Sequence, residues 1–202
     1  MLITGIRSKP VYTPLAADLG GRFHLMIGFG VGSSPLLRVV DELRAAAPAA
    51  LPHTRVLYVQ DPANEAVDLG RFTALAAAVQ VFADTEALLA ALEPALERSL
   101  MGTRLYVAGP ESFMGRIMRL AARFNLNRDE VRAEECGSLA RRVWCVHCGT
   151  TLENVRTNIV ECGCRRWLIV RDHYSRRYAA YMGVMVDAEA PGERPEIREV
   201  FV

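Results

Sequence analysis

Four cysteines in the C-terminal third have the spacing of a metal site. Cys145 and Cys148 form a C-x2-C pair, and Cys162 and Cys164 form a second, tighter C-x-C pair. A C-x2-C turn lets two sulfurs reach one ion from one side, and a second pair closes a tetrahedral site from the other. Four thiolates about 2.3 Å from one ion leave no open position, so the pattern favours structural zinc over catalytic zinc.

The ligand set and the metal stay open at this point. The commoner second half of such a zinc ribbon is C-x2-C, so either both Cys162 and Cys164 bind, or His147 or His173 replaces one of them. A pair that ends in Cys-Gly also suits a rubredoxin-type iron. Unligated buried thiols and disulfides are the other interpretations. The clustering of four of the five cysteines argues against the first, and the lack of a signal peptide argues against the second.

The composition is that of an ordinary globular protein. Of the 202 residues 51% are hydrophobic and 23% are charged, with a net charge of +1, which argues against a dedicated nucleic-acid binder. No apolar run approaches the ~20 residues of a membrane helix. Residues 1–14 lack the apolar region of a signal peptide. We therefore expect a cytoplasmic protein that binds neither nucleic acid nor membrane.

Arginines and tyrosines crowd the C-terminal third. Such a basic patch is either a solvated face or a docking face for an acidic protein partner. Tyr174, Tyr178, Tyr181 and Met182 lie among the arginines and form either the core of an interface or a layer packed on the small metal-binding part. The arginines are Arg141, Arg142, Arg156, Arg165, Arg166, Arg171, Arg176 and Arg177.

The first two thirds of the chain alternate apolar runs with helical patterns. Five such runs separated by helices predict an α/β fold with a doubly wound parallel sheet. The predicted strands are residues 23–27, 55–60, 79–82, 104–108 and 131–134. The predicted helices are residues 35–47 with Ser34 as N-cap, 74–78, from Asp84 or Thr85 to about Leu100 with a kink or break at Pro94, and 111–124. Before them, Leu2–Ile6 and Val11–Tyr12 are strand-like.

The turn after the first predicted strand is rich in glycine. A strand, a glycine turn and a helix make the geometry of a phosphate-binding loop, because free N–H groups at the helix start attract an anion. Pro35 stands where G-x-G-x-x-G would have its third glycine, and there is no Walker A lysine, so a turn that merely needs a tight bend stays an alternative. Gly109 and Pro110 end the fourth predicted strand. The candidate loop residues are Gly30, Gly32, Ser33 and Ser34.

Two segments resemble the nicotinamide-binding domain of ferredoxin–NADP reductase-type flavoproteins. GFGVGSSPLLRVVDEL, residues 28–43, resembles the opening segment of that domain, and the stretch that begins RLYVAGPESFMG, residues 104–136, resembles its closing segment. The resemblance implies that Gly30, Gly32, Ser33, Ser34 and Pro35 contact the pyrophosphate. It also implies that Gly109 and Pro110 lie near the nicotinamide.

The chain departs from that family in two respects. Ala108 stands where the family has a cysteine that lines the nicotinamide site. The sequence also lacks the flavin-binding β-barrel that precedes the domain, together with its R-x-[YF]-[ST] motif. The chain therefore either works with a flavin on a partner or keeps the fold as a scaffold.

A closer resemblance covers nearly the whole chain. The order C-x2-C … C-x-C-x3-L-x-V-R-D-H-Y-S-R-R-x-x-A-Y-M-G-V is similar to the C-terminal domain of the dimethylamine monooxygenase subunit DmmA family. This implies a subunit of a multi-component, haem-dependent oxygenase that uses NADPH and O2 to convert dimethylamine to methylamine and formaldehyde. Haem and flavin would reside on partner subunits, and this chain would be a reductase-like or structural component without catalytic residues of its own.

Two other functions stay open. One is a stand-alone NAD(P)H-linked electron-transfer protein with a rubredoxin-like iron site, and the other is an assembly scaffold whose nucleotide site has decayed. We predict a ferredoxin reductase-like nucleotide-binding domain over residues 1–138 and a four-cysteine, rubredoxin-like zinc-ribbon β domain over residues 139–202. Cys136 is predicted to be a packed or linker thiol, and the acidic C-terminal tail to cover a sheet edge.

Overall fold

The chain forms two compact units. A computed structural model describes residues 8–62, 70–75 and 78–202. Residues 12–137 form one unit, and residues 8–11 together with 138–202 form the other. The predicted domains, 1–138 and 139–202, are parts expected to fold independently, and they stay a prediction. Within the described ranges, no helix has the length and apolar character needed to cross a membrane.

The first unit is a five-stranded parallel sheet with helices on both faces, as predicted. Its strands are β1 (Phe23–Phe29), β2 (Thr54–Val59), β3 (Ala78–Phe82), β4 (Thr103–Gly109) and β5 (Val131–Glu135). Its helices are α1 (Ser33–Ala46), α2 (Gly70–Leu75), α3 (Thr85–Glu97) and α4 (Glu111–Ala121). The strands pair in the order β3-β2-β1-β4-β5, so the winding direction reverses between β1 and β4.

Both faces of this sheet are buried, and each has its own apolar core. Leu25 and Ile27 of β1 belong to the core that includes Leu88 of α3 and Ile117 of α4. Met26, between them, points to the opposite face, because successive side chains of a strand alternate. That second core includes α1. Burial on both faces explains why the central strands β1, β2 and β4 are mainly apolar in the sequence.

The start of α1 differs from the prediction. The helix begins at Ser33, not Pro35, and no side chain caps it. A 3-10 turn over Gly30–Gly32 runs directly into the helix, and the Ser33 N–H already donates to the carbonyl groups of Gly30 and Val31. Ser34 therefore lies in the first turn of the helix and has no capping role.

Helices α3 and α4 agree with the prediction in position but not at every end, whereas α2 shares only residues 74 and 75 with the helix predicted over 74–78. Asp84 is the N-cap of α3, because its carboxylate accepts from the Ala87 N–H at 2.8 Å. That helix ends at Glu97, earlier than predicted, and Pro94 lies inside it. Helix α2 ends at Leu75, and Ala78 already begins β3. Residues 76 and 77, like the strand-like piece Leu2–Ile6, lie outside the described residues. No strand forms at Val11–Tyr12.

Residues 12–21, for which the sequence predicts no helix or strand beyond Tyr12, are packed against the sheet. Leu15 is 2% exposed and belongs to the same core as Met26 and Tyr106. Its backbone N–H donates to Glu134 of β5, and Arg38 Nε donates to its carbonyl oxygen at 3.1 Å. This segment therefore helps to cover the face of the sheet that α1 also covers.

Asp18 anchors the end of this segment. Its backbone N–H donates to Tyr106 Oη at 2.9 Å. Its carboxylate accepts from Arg104 Nε at 2.7 Å and from Arg132 at 3.0 Å. Burial acts to raise the pKa of Asp18, but the hydrogen bonds from the two arginines outweigh it and lower the pKa below its ordinary value.

The second unit is a five-stranded sheet of mixed direction. Its strands are β6 (Arg141–Cys145), β7 (Thr151–Val155), β8 (Ile159–Glu161), β9 (Trp167–Ser175) and β10 (Ala180–Met185). They pair in the order β7-β6-β10-β9-β8, with β6 and β10 parallel and the other pairs antiparallel. Ser8 joins this unit, because its Oγ accepts from the Tyr174 N–H at 2.9 Å.

The C-terminal tail folds back on the second unit, in agreement with its predicted role as a cover. The Val200 N–H donates to the Arg156 carbonyl oxygen at 2.9 Å. The Arg141 guanidinium carbon lies 3.9 Å from the centre of the Phe201 ring. It lies at the same distance, 3.9 Å, from the centre of the Tyr181 ring. The tail thus contributes one of the two aromatic rings that contact a buried arginine.

Replacing Leu15 by alanine should destabilise the first unit by about 2–5 kcal/mol, because it empties a buried site between the sheet and α1. All the described α-helices lie in this unit, so circular dichroism at the helical band during denaturation measures its unfolding. Leu19→Ala is the matched control, because Leu19 is 56% exposed and its loss should cost no more than about 0.5 kcal/mol. Equal effects of the two substitutions would show that Leu15 is not part of the core.

Candidate metal centre and nucleotide loop

The four predicted cysteines converge on one point. Their sulfur atoms all lie within 4.8 Å of one another. Cys145 and Cys164 are 3.9 Å apart at Sγ, and Cys148 and Cys162 are 3.5 Å apart. Sulfurs about 2.3 Å from a central ion in a tetrahedron are about 3.8 Å from one another. The arrangement therefore fits one ion with four thiolate ligands.

The first cysteine pair lies in a tight turn at the end of β6. The Gly149 N–H donates to the Cys145 carbonyl oxygen at 2.9 Å, and the Cys145 N–H donates to the Thr150 carbonyl oxygen at 2.9 Å. Gly149 has a φ of +75°, a conformation that glycine adopts without the penalty of a Cβ. The turn directs the Cys145 and Cys148 side chains to the same side.

The second pair lies in a turn that closes in the same way with one residue fewer. The Arg165 N–H donates to the Cys162 carbonyl oxygen at 2.8 Å, and the Cys162 N–H donates to the Arg166 carbonyl oxygen at 2.9 Å. Arg165, which follows Cys164 as Gly149 follows Cys148, also has a positive φ, +64°. The C-x-C spacing is therefore a shortened form of the C-x2-C turn, and both of its sulfurs reach the centre.

The two histidines considered as substitute ligands do not join this group. His147 and His173 are both exposed, and the group of potential ligands found among the described residues consists of cysteines alone. With four sulfurs already at tetrahedral spacing, no position is left for an imidazole nitrogen. The geometry favours the all-cysteine ligand set.

The pKa values of Cys148, Cys162 and Cys164 are shifted in different directions. Hydrogen bonds from the Thr150 side chain and backbone lower the pKa of Cys148 to about 6. Burial raises the pKa of Cys162 to about 12. Burial also acts to raise the pKa of Cys164, but hydrogen bonds from the Arg166 backbone and side chain outweigh it and lower that pKa. Part of the site is thus already anionic at neutral pH, which suits a cation.

The cysteines are also the local core of the second unit. Cys145 and Cys162 are buried and form one apolar cluster with Leu168. Two of the three fully buried members of this cluster are therefore candidate ligands. This cluster is small, so a metal ion held by the cysteines would add a cross-link between the two turns.

The predicted nucleotide residues come together at the carboxyl edge of the first sheet. Strands β1 and β4 are parallel neighbours, with Gly28 beside Ala108, so the turns that follow them are adjacent. A Cβ on Gly32 would overlap the Ala108 carbonyl group, so only glycine fits there. Gly109 also has a positive φ, +151°. The two turns meet where the winding direction reverses, the position at which open α/β sheets bind ligands.

A residue of the neighbouring strand β2, which was not among the predicted site residues, holds the glycine loop in place. Tyr58 of β2 donates a hydrogen bond from its hydroxyl to the Gly30 carbonyl oxygen, and Gly30 has a φ of +53°. Ser33 is buried and hydrogen-bonds the same tyrosine. Ser34 is exposed, whereas the other predicted nucleotide residues are buried. The part of the loop most open to a ligand is therefore the first turn of α1.

An open groove of about 490 Å³ extends from this turn along the outer side of α1. Two arginines lie in it, and each has an acidic partner. Arg71 is 2.9 Å from Asp41, and Arg38 pairs with Glu134. The lining residues are Ser34, Leu37, Arg38, Asp41, Glu42, Ala45 and Arg71.

Much of the predicted arginine–tyrosine interface is instead interior. Tyr174 and Tyr181 are buried, in agreement with the alternative that they pack within the metal-binding unit. Arg141 and Arg142 are buried as well and pair with Asp172 and Glu153.

Other residues of that predicted interface stay accessible. Tyr178 is half-buried and stacks on Trp144, with ring centroids 4.2 Å apart. Five of the arginines are exposed: Arg156, Arg165, Arg166, Arg176 and Arg177.

Cys136, the fifth cysteine, is a packed thiol, as predicted. It is half-buried against the core that contains Met26, and its N–H donates to the Gly109 carbonyl oxygen at 3.0 Å. Burial raises the pKa of Cys136 to about 11, so the thiol stays protonated and unreactive at neutral pH.

Gly149→Ala should destabilise the second unit by about 1–2 kcal/mol, because alanine at a φ of +75° places its Cβ against the following carbonyl group. Gly163→Ala is the matched control within the same site: a Cβ there would have no atom within 4 Å. Both tryptophans lie in this unit, so their fluorescence during denaturation measures the effect. A loss of stability from Gly163→Ala as large as that from Gly149→Ala would contradict the backbone explanation.

Affinity for zinc should rise with pH between about pH 6.5 and 8.5, because the ion binds thiolates and must displace the proton that Cys162 keeps at neutral pH. One displaced proton corresponds to about tenfold in affinity per pH unit. Competition with a chromophoric chelator measures the affinity, and Cys136→Ser, which removes the thiol of the first unit, should leave it unchanged. An affinity that does not depend on pH would contradict thiolate ligation.

Comparison with known proteins identifies relatives of the whole chain. Residues 4–131 match the family described as dimethylamine monooxygenase subunit DmmA-like, N-terminal domain, and residues 142–184 match the corresponding C-terminal domain. The haem-dependent oxidative N-demethylase delta subunit of Ectopseudomonas mendocina (strain ymp) is 32% identical over 150 residues, which cover 71% of this chain and 85% of that protein.

Solved structures of reductases resemble part of the chain. Phthalate dioxygenase reductase is 19% identical with a TM-score of 0.49, and the match covers 68% of this chain and 45% of that one. The cytochrome P450 reductase of Amycolatopsis is 19% identical with a TM-score of 0.46, and the match covers 58% of this chain and 38% of that one. The chain thus matches less than half the length of either reductase. The two family matches and the demethylase relative show that this chain belongs to the dimethylamine monooxygenase subunit DmmA-like family.

Proposed function

We propose that this chain is the nucleotide-binding subunit of a multi-component, haem-dependent enzyme that removes a methyl group from dimethylamine by oxidation. The observation that carries the proposal is the contact between the glycine turn after β1 and the end of β4, where Gly32 packs on Ala108. This contact lies at the reversal of strand order, the position at which open α/β sheets bind ligands. Membership of the family and the relative's description as a delta subunit support the assignment to an N-demethylase complex.

The residues of the crevice fit a nicotinamide dinucleotide. Ser34 is exposed at the start of α1, where backbone N–H groups and the positive end of the helix dipole favour a pyrophosphate. Gly109 and Pro110 lie beside this turn at the end of β4 and would contact the nicotinamide half. NAD(P)H bound there would supply a hydride to the complex. This chain's residues bind and orient the coenzyme and carry out no bond-making step themselves.

The four-cysteine site fits a structural Zn²⁺ in this proposal. Cys145, Cys148, Cys162 and Cys164 would hold the ion, which would supply the cross-link that the small second unit needs. A closed four-sulfur site leaves no position for substrate, so its role is to shape the unit. The five exposed arginines would be available to contact acidic groups of the partner subunits.

We place haem and flavin on those partner subunits and the complex in the cytoplasm. The relative is described as a delta subunit, which supports an assembly of several chains. The free cysteines suit a reducing compartment. Two alternatives have distinct signatures: a rubredoxin-like iron site would make the purified chain red, and a pure scaffold would bind neither coenzyme.

Ser34→Glu should weaken binding of NADH and NADPH by about tenfold or more, because it places a carboxylate where the pyrophosphate binds. The fold should tolerate the change, since Ser34 is exposed and an acidic residue suits the first turn of a helix. Ser34→Gln adds the same bulk without the charge and should keep most of the affinity. Calorimetric titration of the zinc-loaded chain with each coenzyme measures both variants.

Two outcomes of that titration would contradict the proposal. If the wild-type chain bound neither coenzyme up to millimolar concentration, the first unit would be a scaffold. If Ser34→Glu and Ser34→Gln bound as tightly as the wild type, the pyrophosphate would not lie at the start of α1.

A further inference from the structure

We propose that the turn between β9 and β10 docks on an acidic surface of a partner subunit. The turn comprises residues 176–179 of the second unit. The inference rests on the proposed function, since it names the contact residues of this chain and the chemistry of its partner within the same complex. It follows from the charge that the turn exposes and from the contacts that fix its shape.

The turn exposes two positive charges that its surroundings do not neutralise. Arg176 and Arg177 are both exposed, and neither forms an ion pair with a residue in the part of the chain that the structure describes. Acidic residues of the same sheet are already engaged. Asp172 of β9 accepts from a buried arginine of β6 at 2.7 Å, and Glu153 of β7 accepts from Arg142 at 2.9 Å. Both guanidinium groups of the turn therefore remain available to carboxylates of another protein.

A buried arginine holds the backbone of the turn. Arg142 Nη1 donates to the Ala179 carbonyl oxygen at 3.0 Å and to the Tyr178 carbonyl oxygen at 3.5 Å. Ala179 is fully buried and has a φ of +48°, a left-handed conformation that costs free energy in an alanine. Such a conformation persists only where the surrounding structure holds it, and it is common at binding sites. The contacts of Arg142 therefore keep the turn in one shape.

An aromatic stack fixes the side chains beside the two arginines. The Tyr178 ring is parallel to the Trp144 ring of β6 to within 5°, and the ring centroids are 4.2 Å apart. The Arg177 guanidinium carbon lies 5.5 Å from the centre of the Tyr178 ring, within the range of a cation–π contact. Both rings are half-buried, so part of each faces solvent. Tryptophan, tyrosine and arginine are the side chains that most often dominate the affinity of a protein interface.

These features favour an acidic protein surface as the occupant. A planar guanidinium group binds a carboxylate through two parallel hydrogen bonds. A turn that is already fixed loses little conformational entropy on binding, so more of the interaction contributes to affinity. The net charge of the chain is only +1, which disfavours a nucleic acid as the occupant. The description of the relative as a delta subunit supports partner chains in the same complex.

The affinity of the zinc-loaded full chain for the purified remaining subunits of its complex, measured by calorimetric titration, tests the inference. Arg176→Gln combined with Arg177→Gln should weaken the association by about tenfold or more, because both charges that meet the acidic surface are lost.

Arg194→Glu is the matched control, because it changes the net charge by the same two units at an exposed position of the same unit. Arg194 lies 4.2 Å from the ring centre of Trp167, the first residue of β9, whereas the turn follows the last. The length of that strand places the control about 26 Å from the turn. It should leave the affinity unchanged, and both variants should keep one zinc ion per chain.

The possible results separate this inference from the proposed function. If the double glutamine variant associated as tightly as the wild type, the inference would be overturned and the proposed function would stand. An equal loss of affinity in Arg194→Glu would also overturn it, because the effect would then follow net charge and not the turn. Binding of the wild type to a duplex oligonucleotide that the double variant loses would overturn it in favour of a nucleic-acid site. If the wild type did not associate with the remaining subunits, the proposed assembly and the inference would both fail.

Discussion

The arrangement of four sulfur atoms within 4.8 Å of one another is the main constraint on the turns of the second unit. Cys145 and Cys162 are at once candidate ligands and two of the three fully buried members of the local core, so ligation and packing are the same interaction there. The two turns that present the pairs differ in length but close with the same pattern of backbone hydrogen bonds. An ion bound by all four cysteines would join the two turns directly, in addition to the contacts of this cluster.

The first unit is stabilised differently, by apolar side chains on both faces of a parallel sheet. Leu25 and Ile27 on one face and Met26 on the other each belong to a large core. Because these cores hold the strands rigidly, the turns after β1 and β4 can be specialised, with Gly32 against Ala108 and Gly30 held by Tyr58. A rigid sheet with adjustable turns at its carboxyl edge is the arrangement on which nucleotide sites are built.

The sequence predicted the central strands of the first sheet well, because β1, β2 and β4 are largely buried and therefore read as mainly apolar runs. The second sheet was harder. Most of its strands are short and half-exposed, and β6 pairs with β10 across a long separation, Val143 beside Tyr181. The packing of residues 12–21 was not predicted, because a single buried side chain, Leu15, produces no periodic pattern in the sequence. Ser34 satisfied the rule for an N-cap, but the preceding 3-10 turn had already begun the helix.

The candidate sites, like the fold, could be predicted from the sequence only in part. The spacing of the four cysteines was enough to identify them, because a tetrahedral site is built from two pairs of closely spaced ligands. Whether His147 or His173 took part could be judged only from their exposure in the fold. Tyr181 could have been an interface residue or a core residue, and its burial is a tertiary property.

X-ray absorption at the zinc edge of the purified chain would test the central claim, that four thiolates and one zinc ion hold the second unit together. The expected result is one zinc per chain with four sulfur neighbours at about 2.3 Å and no nitrogen or oxygen neighbour. A first shell that contains nitrogen would contradict the all-cysteine site. A correctly folded second unit without any bound metal would contradict the claim that the ion holds it together.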